Sequence, residues 1–374
     1  MIRLLLLLSL TILVPACAHQ ALVPIPEDVD GILVVVNDPR PERLRSSGYG
    51  QRYSPSIAYD QDPTLRDYAR RIASDYGQTV ISEWPLRSLA VHCFVIRKPQ
   101  ESVLRAMEQD SRIRWIQPFN QHELQSVATI TGLQNAPVSG GDATVHGRAS
   151  GVKISIVDTG ADLSHRDLPR AIQYEDFAES YGDGSEELHG TSVLGLLAAN
   201  PSDENGLVHG FASEATIQHL RGCWEESGRG RCNTLTLALA LDAAIEFEPA
   251  IINLSLSGPK DRLLDELIVE LAKTGTVVVS AYDERRSFEN RFPSPADNVV
   301  FAVAGARFAP HQEHAQTFWA PGEAMSLSPM DDYALVTGHS VAAPYLTGTL
   351  ARLHGQSAES DGAALIRLLG KTTE

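Results

Sequence analysis

Three short stretches of the chain hold side chains that can do chemistry together. GHSVAAP, residues 338–344, sets Ser340 ahead of a run of small residues and Pro344. Proline is tolerated in the first turn of a helix, where its missing N–H has no intrahelical partner anyway. Residues 341–353 are apolar and good helix material. Ser340 therefore reads as standing at a helix N-terminus, where unpaired backbone N–H groups and the positive dipole end favour a developing oxyanion. An ordinary N-cap serine is the alternative. Two upstream stretches weigh against it. Residues 152–157 read as a buried strand that ends in Asp158-Thr159-Gly160, and residues 188–199 read as a helix headed by His189. An acid, a base and a nucleophile thus occur in the order Asp158, His189, Ser340. A carboxylate that fixes an imidazole tautomer, an imidazole that takes a proton and a hydroxyl that attacks a carbonyl are the parts of covalent acyl transfer.

These side chains need a frame. Strands are expected at residues 152–157, 216–220, 251–256, 276–281 and 299–304, and helices at 191–199, 234–247, 262–273 and 341–353. Such alternation means an α/β unit, a parallel sheet covered by helices on both faces. The strand carrying Asp158 would then present it at its C-terminal end, where α/β sheets place their sites. Ahead of this unit, residues 31–38, 79–84, 89–96 and 113–117 read as strands, and 64–76 and 101–110 as helices. The order βαββαβ is that of a small ferredoxin-like α+β unit.

The three stretches resemble the blocks of the subtilisin-like serine peptidases, the subtilases. D-[ST]-G is matched by Asp158-Thr159-Gly160, H-G-T-x-V-x-G by residues 189–195, and G-T-S-x-A-x-P by residues 338–344 with His339 in place of Thr. Ser192 stands where the family usually has His. The resemblance runs from about residue 151 to the C-terminus. It implies an endopeptidase acting on polypeptides, with Asp158, His189 and Ser340 as its triad. It implies a substrate-binding strand at 251–259, with Ser255, Leu256, Ser257, Gly258, Ala281 and Tyr282 beside the substrate. It implies that residues 21–122 are a propeptide that assists folding and inhibits, that residues 123–150 are a linker in which maturation cleavage falls, and that residues 151–374 are the catalytic domain.

One departure bears on chemistry. In the family the strand at 277–281 ends A-A-G-N, and the Asn amide donates to the oxyanion; here the matching residues are Ser280-Ala281-Tyr282-Asp283. Asp283 would share the oxyanion hole with Ser340, yet an ionised carboxylate cannot donate. If Asp283 acts only when protonated, the expectation is slow turnover near neutrality and an optimum displaced to acid. Tyr282, replacing a glycine, predicts a preference for small or modest side chains before the scissile bond. The alternative is a catalytically weak or inactive subtilase that works as a binding or scaffold lipoprotein. D-[ST]-G is also the signature of aspartic peptidases, but that class needs a second copy, which this chain lacks.

Residues 1–18 read as an export signal, with Arg3 ahead of an apolar core at 4–14. The core is too short to span a bilayer. Cleavage after Ala18 is one outcome; the run Val14-Pro15-Ala16-Cys17 resembles a bacterial lipobox, which would make Cys17 a lipidated N-terminus in the cell envelope or periplasm. Either way the protein is expected to be exported, with a membrane met only through such an anchor. A net charge of −16 disfavours nucleic acid as a partner. Cys223 and Cys232 bracket a Gly- and charge-rich turn, and in an exported chain they are expected to form a disulfide. Cys93 reads as a buried inert thiol. His165, His209, His219, His311 and His314 show no metal-ligand spacing and read as surface or satisfied residues; His339, beside the nucleophile, reads as structural or neutral, with a substrate contact as the alternative. The acidic loop 175–187 matches no EF-hand pattern and reads as solvated. No cofactor is expected, with calcium the one cation held open.

Overall fold

The computed structural model of the protein describes residues 25–26, 29–37, 63–124, 128–130, 149–201, 207–306, 309–310, 316–356 and 361–371. Residues 1–18, expected as an export signal, with Cys17, and His311, His314 and most of the expected linker lie outside the described residues.

The larger unit is built on an eight-stranded sheet. Its order is Ala309–Pro310, Thr317–Pro321, Val299–Gly305, Val277–Ala281, Ile251–Leu254, Lys153–Asp158, Thr216–Arg221, Gln173–Asp176. All neighbours run parallel except Ala309–Pro310. Successive side chains point to opposite faces. Ile154, Ile156, Val277 and Val279 accordingly join one core, with helices Leu188–Ala198, His339–Gln356 and Gly362–Lys371. Val157, Val278, Ile252 and Leu254 join the other, with helices Thr234–Phe247 and Arg262–Lys273. Helices thus cover both faces, the α/β architecture expected from the alternation.

Two helix starts have visible causes. Asn233 accepts from Thr236 N while the Thr236 side chain reaches back, a capping box that fixes the start of Thr234–Phe247. The Asp261 side chain accepts from Leu264 N and caps Arg262–Lys273. The expected strand 251–256 is split. Ile251–Leu254 stays in the parallel sheet, and after Ser255 the chain turns out as Leu256–Pro259 into a second sheet.

The N-terminal unit is a four-stranded antiparallel sheet in the order Ser82–Leu86, Val91–Arg97, Gly31–Asn37, Ile113–Pro118, with helices Pro63–Asp75 and Glu101–Glu108. This is the ferredoxin-like arrangement. Its central strand is buried on both sides: Ile32, Val34 and Val36 pack with Ala69, Ile72, Leu104 and Met107 of its own helices. Leu33 and Val35 belong instead to the core that holds Leu235, Leu239, Leu264 and Leu267 of the larger unit. An apolar sheet face needs a partner, and the two helices supply it.

Residues expected as linker are in part regular structure. Gln121–Leu124 is the middle strand of a five-stranded sheet ordered Cys223–Glu226, Arg229–Asn233, Gln121–Leu124, Leu256–Pro259, Arg291–Phe292. Ala128–Ile130 pairs antiparallel with Asp332–Thr337. A strand placed between two edges gains backbone bonds on both sides, and sequence composition does not register that gain.

Candidate active site

His189 is the second residue of its helix, and its Nδ1 lies 2.6 Å from Asp158 Oδ1. Both residues are buried. This contact fixes the tautomer with the proton on Nδ1 and leaves Nε2 as the basic nitrogen. Asp158 Oδ1 also accepts the Thr159 N–H at 2.7 Å. The two loops approach closely: the Gly190 N–H donates to Thr159 Oγ1 at 2.8 Å, and a Cβ on Gly190 would overlap the Gly160 carbonyl. A glycine is therefore required beside the imidazole.

The start of the histidine helix is wrapped in carboxylates. The His189 N–H donates to Glu225 Oε1 at 2.7 Å, and Gly160 N–H donates to Glu187 Oε2. Burial holds the Glu225 carboxyl above its usual range. Arg221, with no exposed side-chain surface, pairs with Glu187 at 2.8 Å and Asp176 at 2.9 Å. The acidic loop 175–187 is thus partly an internal ion network, not merely solvated. The charged partner that draws Glu187 inward is 34 residues away, which is why the local sequence reads as solvated.

Ser340 is the second residue of helix His339–Gln356 and is fully buried in this state. At the helix start the Val341 and Ala342 N–H groups donate to the Gly338 carbonyl, at 3.1 and 3.4 Å. Ser340 Oγ donates to the Ser255 carbonyl and Ser255 Oγ to the Ser340 carbonyl, each at 3.3 Å. Behind them Asn253 donates to Ser255 Oγ at 3.0 Å and accepts from Thr347 Oγ1 at 2.9 Å. The break in the strand at Ser255 and the helix start are thereby locked together.

Leu256 and Ser257 pair antiparallel with Leu124 and Glu123, and Gly258 pairs with Phe292 on the other side. Ala281 ends its strand, and the Tyr282 N–H donates to Ala302 O at 3.0 Å. The Tyr282 ring lies against His339, Phe288 and Arg291, with the Arg291 guanidinium 4.7 Å from its centroid. His339 accepts the Ala304 N–H at Nδ1, 2.8 Å, and burial, opposed by Glu284, lowers its pKa.

Asp283 is buried and fully engaged: Ser257 Oγ donates to Oδ2 at 2.8 Å, and the Arg285 N–H and Nε donate to Oδ1 at 3.0 and 3.1 Å. Arg286 Nε lies 3.3 Å away. Burial pushes its pKa up, but the bonds from Ser257 and Arg285 outweigh this and hold the carboxyl below its usual range. The expectation of a protonated, donating Asp283 finds no support in this geometry: the bonds from Ser257 and Arg285 favour the ionised carboxylate.

The expected disulfide is present. Cys223 and Cys232 face each other across an antiparallel pair and are joined. Cys93 is free and buried. His165 and His219 are buried and bonded, His219 Nε2 to the Thr159 carbonyl at 2.7 Å, and His209 is exposed.

Residues 149–373 match the subtilase family, peptidase family S8. The chain belongs to the subtilase family. It is 31% identical over 231 residues to the major intracellular serine protease of Bacillus subtilis, covering 57% of this chain and 71% of that protein. It is 28% identical over 278 residues to a thermophilic serine proteinase of Bacillus sp. AK1, covering 68% and 67% of the two. Fervidolysin of Fervidobacterium pennivorans, described as a keratinolytic enzyme related to subtilisin, shares the fold, with a TM-score of 0.58 at 18% identity over 90% of this chain and 56% of that one. This subtilase is a serine endopeptidase.

Several residues around the site escaped the sequence reading. Glu225, Glu187 and Arg221 sit far apart in sequence from His189 or read as loop acids. Arg291 is a buried cation behind Tyr282, Phe288 and Phe301. No spacing rule marks such residues; only the run of aromatic residues near Arg291 hinted at a packed pocket.

Proposed function

We propose that this subtilase is an exported endopeptidase that cuts polypeptides by a Ser340/His189/Asp158 triad and is made with its own N-terminal inhibitor. Ser340 Oγ attacks the scissile carbonyl as His189 Nε2 takes its proton. Asp158 stabilises the imidazolium. The proton then passes to the leaving amine as the C–N bond breaks, and water hydrolyses the acyl-enzyme. The Ser340 N–H serves the oxyanion hole, and no cofactor takes part. Asp283, charged and paired with arginine, stands beside that hole as an acceptor.

The observation that carries this reading is the Asp158–His189 contact at 2.6 Å together with a chain already seated on the substrate strand. Gln121–Leu124 occupies the slot between Arg229–Asn233 and Leu256–Pro259 in the extended form a substrate would take. Residues 21–122 then act as propeptide, with self-cleavage between Leu124 and Ala128. The leader at residues 1–18, with lipidation at Cys17, directs the protein to the bacterial cell envelope. One observation favours a second reading, a low-turnover subtilase that works mainly by binding: the ionised Asp283 cannot donate. Mass spectrometry of the mature N-terminus tests the proposal. A diacylglyceryl Cys17 and a new terminus within 125–128 are expected; an intact chain beginning at Met1 would contradict export and self-cleavage together.

A further inference from the structure

His122, the second residue of Gln121–Leu124, is 1% exposed although it sits on a strand at the surface of the larger unit. Its ring enters a pocket with three walls. Phe292 meets it edge-on, with centroids 5.5 Å apart. Gly258 lies beneath it, and a Cβ there would overlap the imidazole. The Asp261 carboxylate closes the end, with Oδ2 3.6 Å from His122 Nε2. Neither ring nitrogen has a hydrogen-bond partner among the described residues.

Asp261 has no exposed side-chain surface. Thr234 Oγ1, at 2.7 Å, and the Leu264 N–H, at 3.2 Å, donate to it from the larger unit. Gln117 Nε2 at 2.8 Å and Asn120 Nδ2 at 2.9 Å donate from the N-terminal segment that also carries His122. Burial raises its pKa, but His122, Thr234 and Gln117 outweigh burial and hold it ionised. When residues up to Leu124 leave, the carboxylate loses Gln117, Asn120 and His122 together. A carboxylate left with only the Thr234 and Leu264 donors in an opened pocket favours a cationic partner. The ladder that holds Gln121–Leu124 is main-chain and indifferent to sequence, so pockets for alternate side chains decide which polypeptide fits.

We propose that Asp261 is a specificity-determining residue, whose carboxylate selects a positively charged side chain, histidine, lysine or arginine, at the substrate position that His122 occupies. That position immediately precedes the residue paired with Ser257. The inference rests on the peptidase reading above and names the substrates of that site. Gly258 leaves room for the side chain, Phe292 packs its apolar part, and Asp261 meets its charge.

Two measurements test it. The first uses the purified full-length protein, its active fraction titrated with a fluorophosphonate, and peptides of residues 117–130 with His, Lys, Leu or Glu at position 122. The Lys and His peptides should exceed the Leu peptide in kcat/KM by roughly 10–100-fold, the worth of a hydrogen bond to a charged group, and the Glu peptide should be slowest. Asp261→Asn should erase the order. Equal cleavage of the Lys and Leu peptides by a labelled enzyme overturns the inference and leaves the peptidase reading standing. The second needs no activity: amide hydrogen exchange of residues 121–124 in the full-length Ser340→Ala chain. Protection should survive His122→Lys and fall with His122→Leu or Asp261→Asn. Equal protection in all three overturns the inference. A protein that neither labels nor cleaves sinks the peptidase reading, while the exchange measurement still judges the pocket.

Discussion

Asp283 Oδ1 lies 3.1 Å from Arg285 Nε, and the carboxylate is buried while the guanidinium is largely exposed. The pair places a negative charge next to Ser257 on strand Leu256–Pro259. Asp283→Asn supplies an amide donor and removes that charge. Loss of one oxyanion donor costs about 10²–10³ in turnover in enzymes of this kind, so the substitution should raise kcat at neutral pH by up to that order. Because the folded-state pKa of Asp283 is depressed, its contribution to stability is present above the ordinary carboxylate value and is lost as pH falls through the lower folded value. The charge therefore does not change across the working range, and the optimum should stay where it is. Paired pH–rate profiles decide this; a marked alkaline shift in the variant would mean that Asp283 had been titrating.

Arg221 and Glu187 form an ion pair at 2.8 Å with almost no exposed surface. Arg221→Met leaves Glu187 buried without its cation and should cost about 3–5 kcal/mol. Removing both charges, Arg221→Met with Glu187→Gln, should cost less than the single change. Urea unfolding of the variants measures both. A double variant less stable than Arg221→Met alone would mean that Glu187 is held by its other bonds, from Gly160 N–H and Glu225 N–H.

The Cys223–Cys232 bridge closes a hairpin that carries Glu225, which accepts the His189 N–H, and borders Gln121–Leu124. Replacing both cysteines with serine should lower stability by about 2–3 kcal/mol, the loop-closure contribution for so short a ring. It should also lower kcat more than it raises KM, because the histidine helix loses a positioning contact. Thermal melts with and without reductant, and kinetics on a peptide, check the two effects. Unchanged kcat would show that the hairpin stabilises without positioning His189.

The frame was legible because its determinants are local. Helices Thr234–Phe247 and Arg262–Lys273 have the bounds expected from the sequence, and in the structure Asn233 and Asp261 cap their starts. The βαββαβ pattern and the strand leading to Asp158 were carried by periodicity. Asp158, His189 and Ser340 stood out as candidates because each lies in a short motif with a fixed neighbour. What was missed depends on distant partners. Glu123 and Leu124 look like linker, and their pairing is set by Arg229–Asn233 and Leu256–Pro259. Asp283 was recognised, yet its charge state follows from Ser257, far away in sequence, and from Arg285 folding back on it. Asp261 was not singled out in the sequence, and it is a meeting point of two units.

A chain with Ser340→Ala should stay uncut between Leu124 and Ala128 and should lose about 10⁶ in turnover, the cost of removing the nucleophile from such a triad. Gel mobility after expression in a protease-deficient host reads the first effect. Normal processing of the variant there would mean that another enzyme matures the protein.

The central claim is that Ser340, in the first turn of its helix and served by His189, is the nucleophile. Fluorophosphonate labelling of the purified protein, followed by peptide mapping, tests it most directly. One phosphonyl adduct is predicted on Ser340, absent in Ser340→Ala and strongly reduced in His189→Ala. A protein that cleaves peptides while Ser340 stays unmodified, or that carries its adduct on another residue, would contradict it.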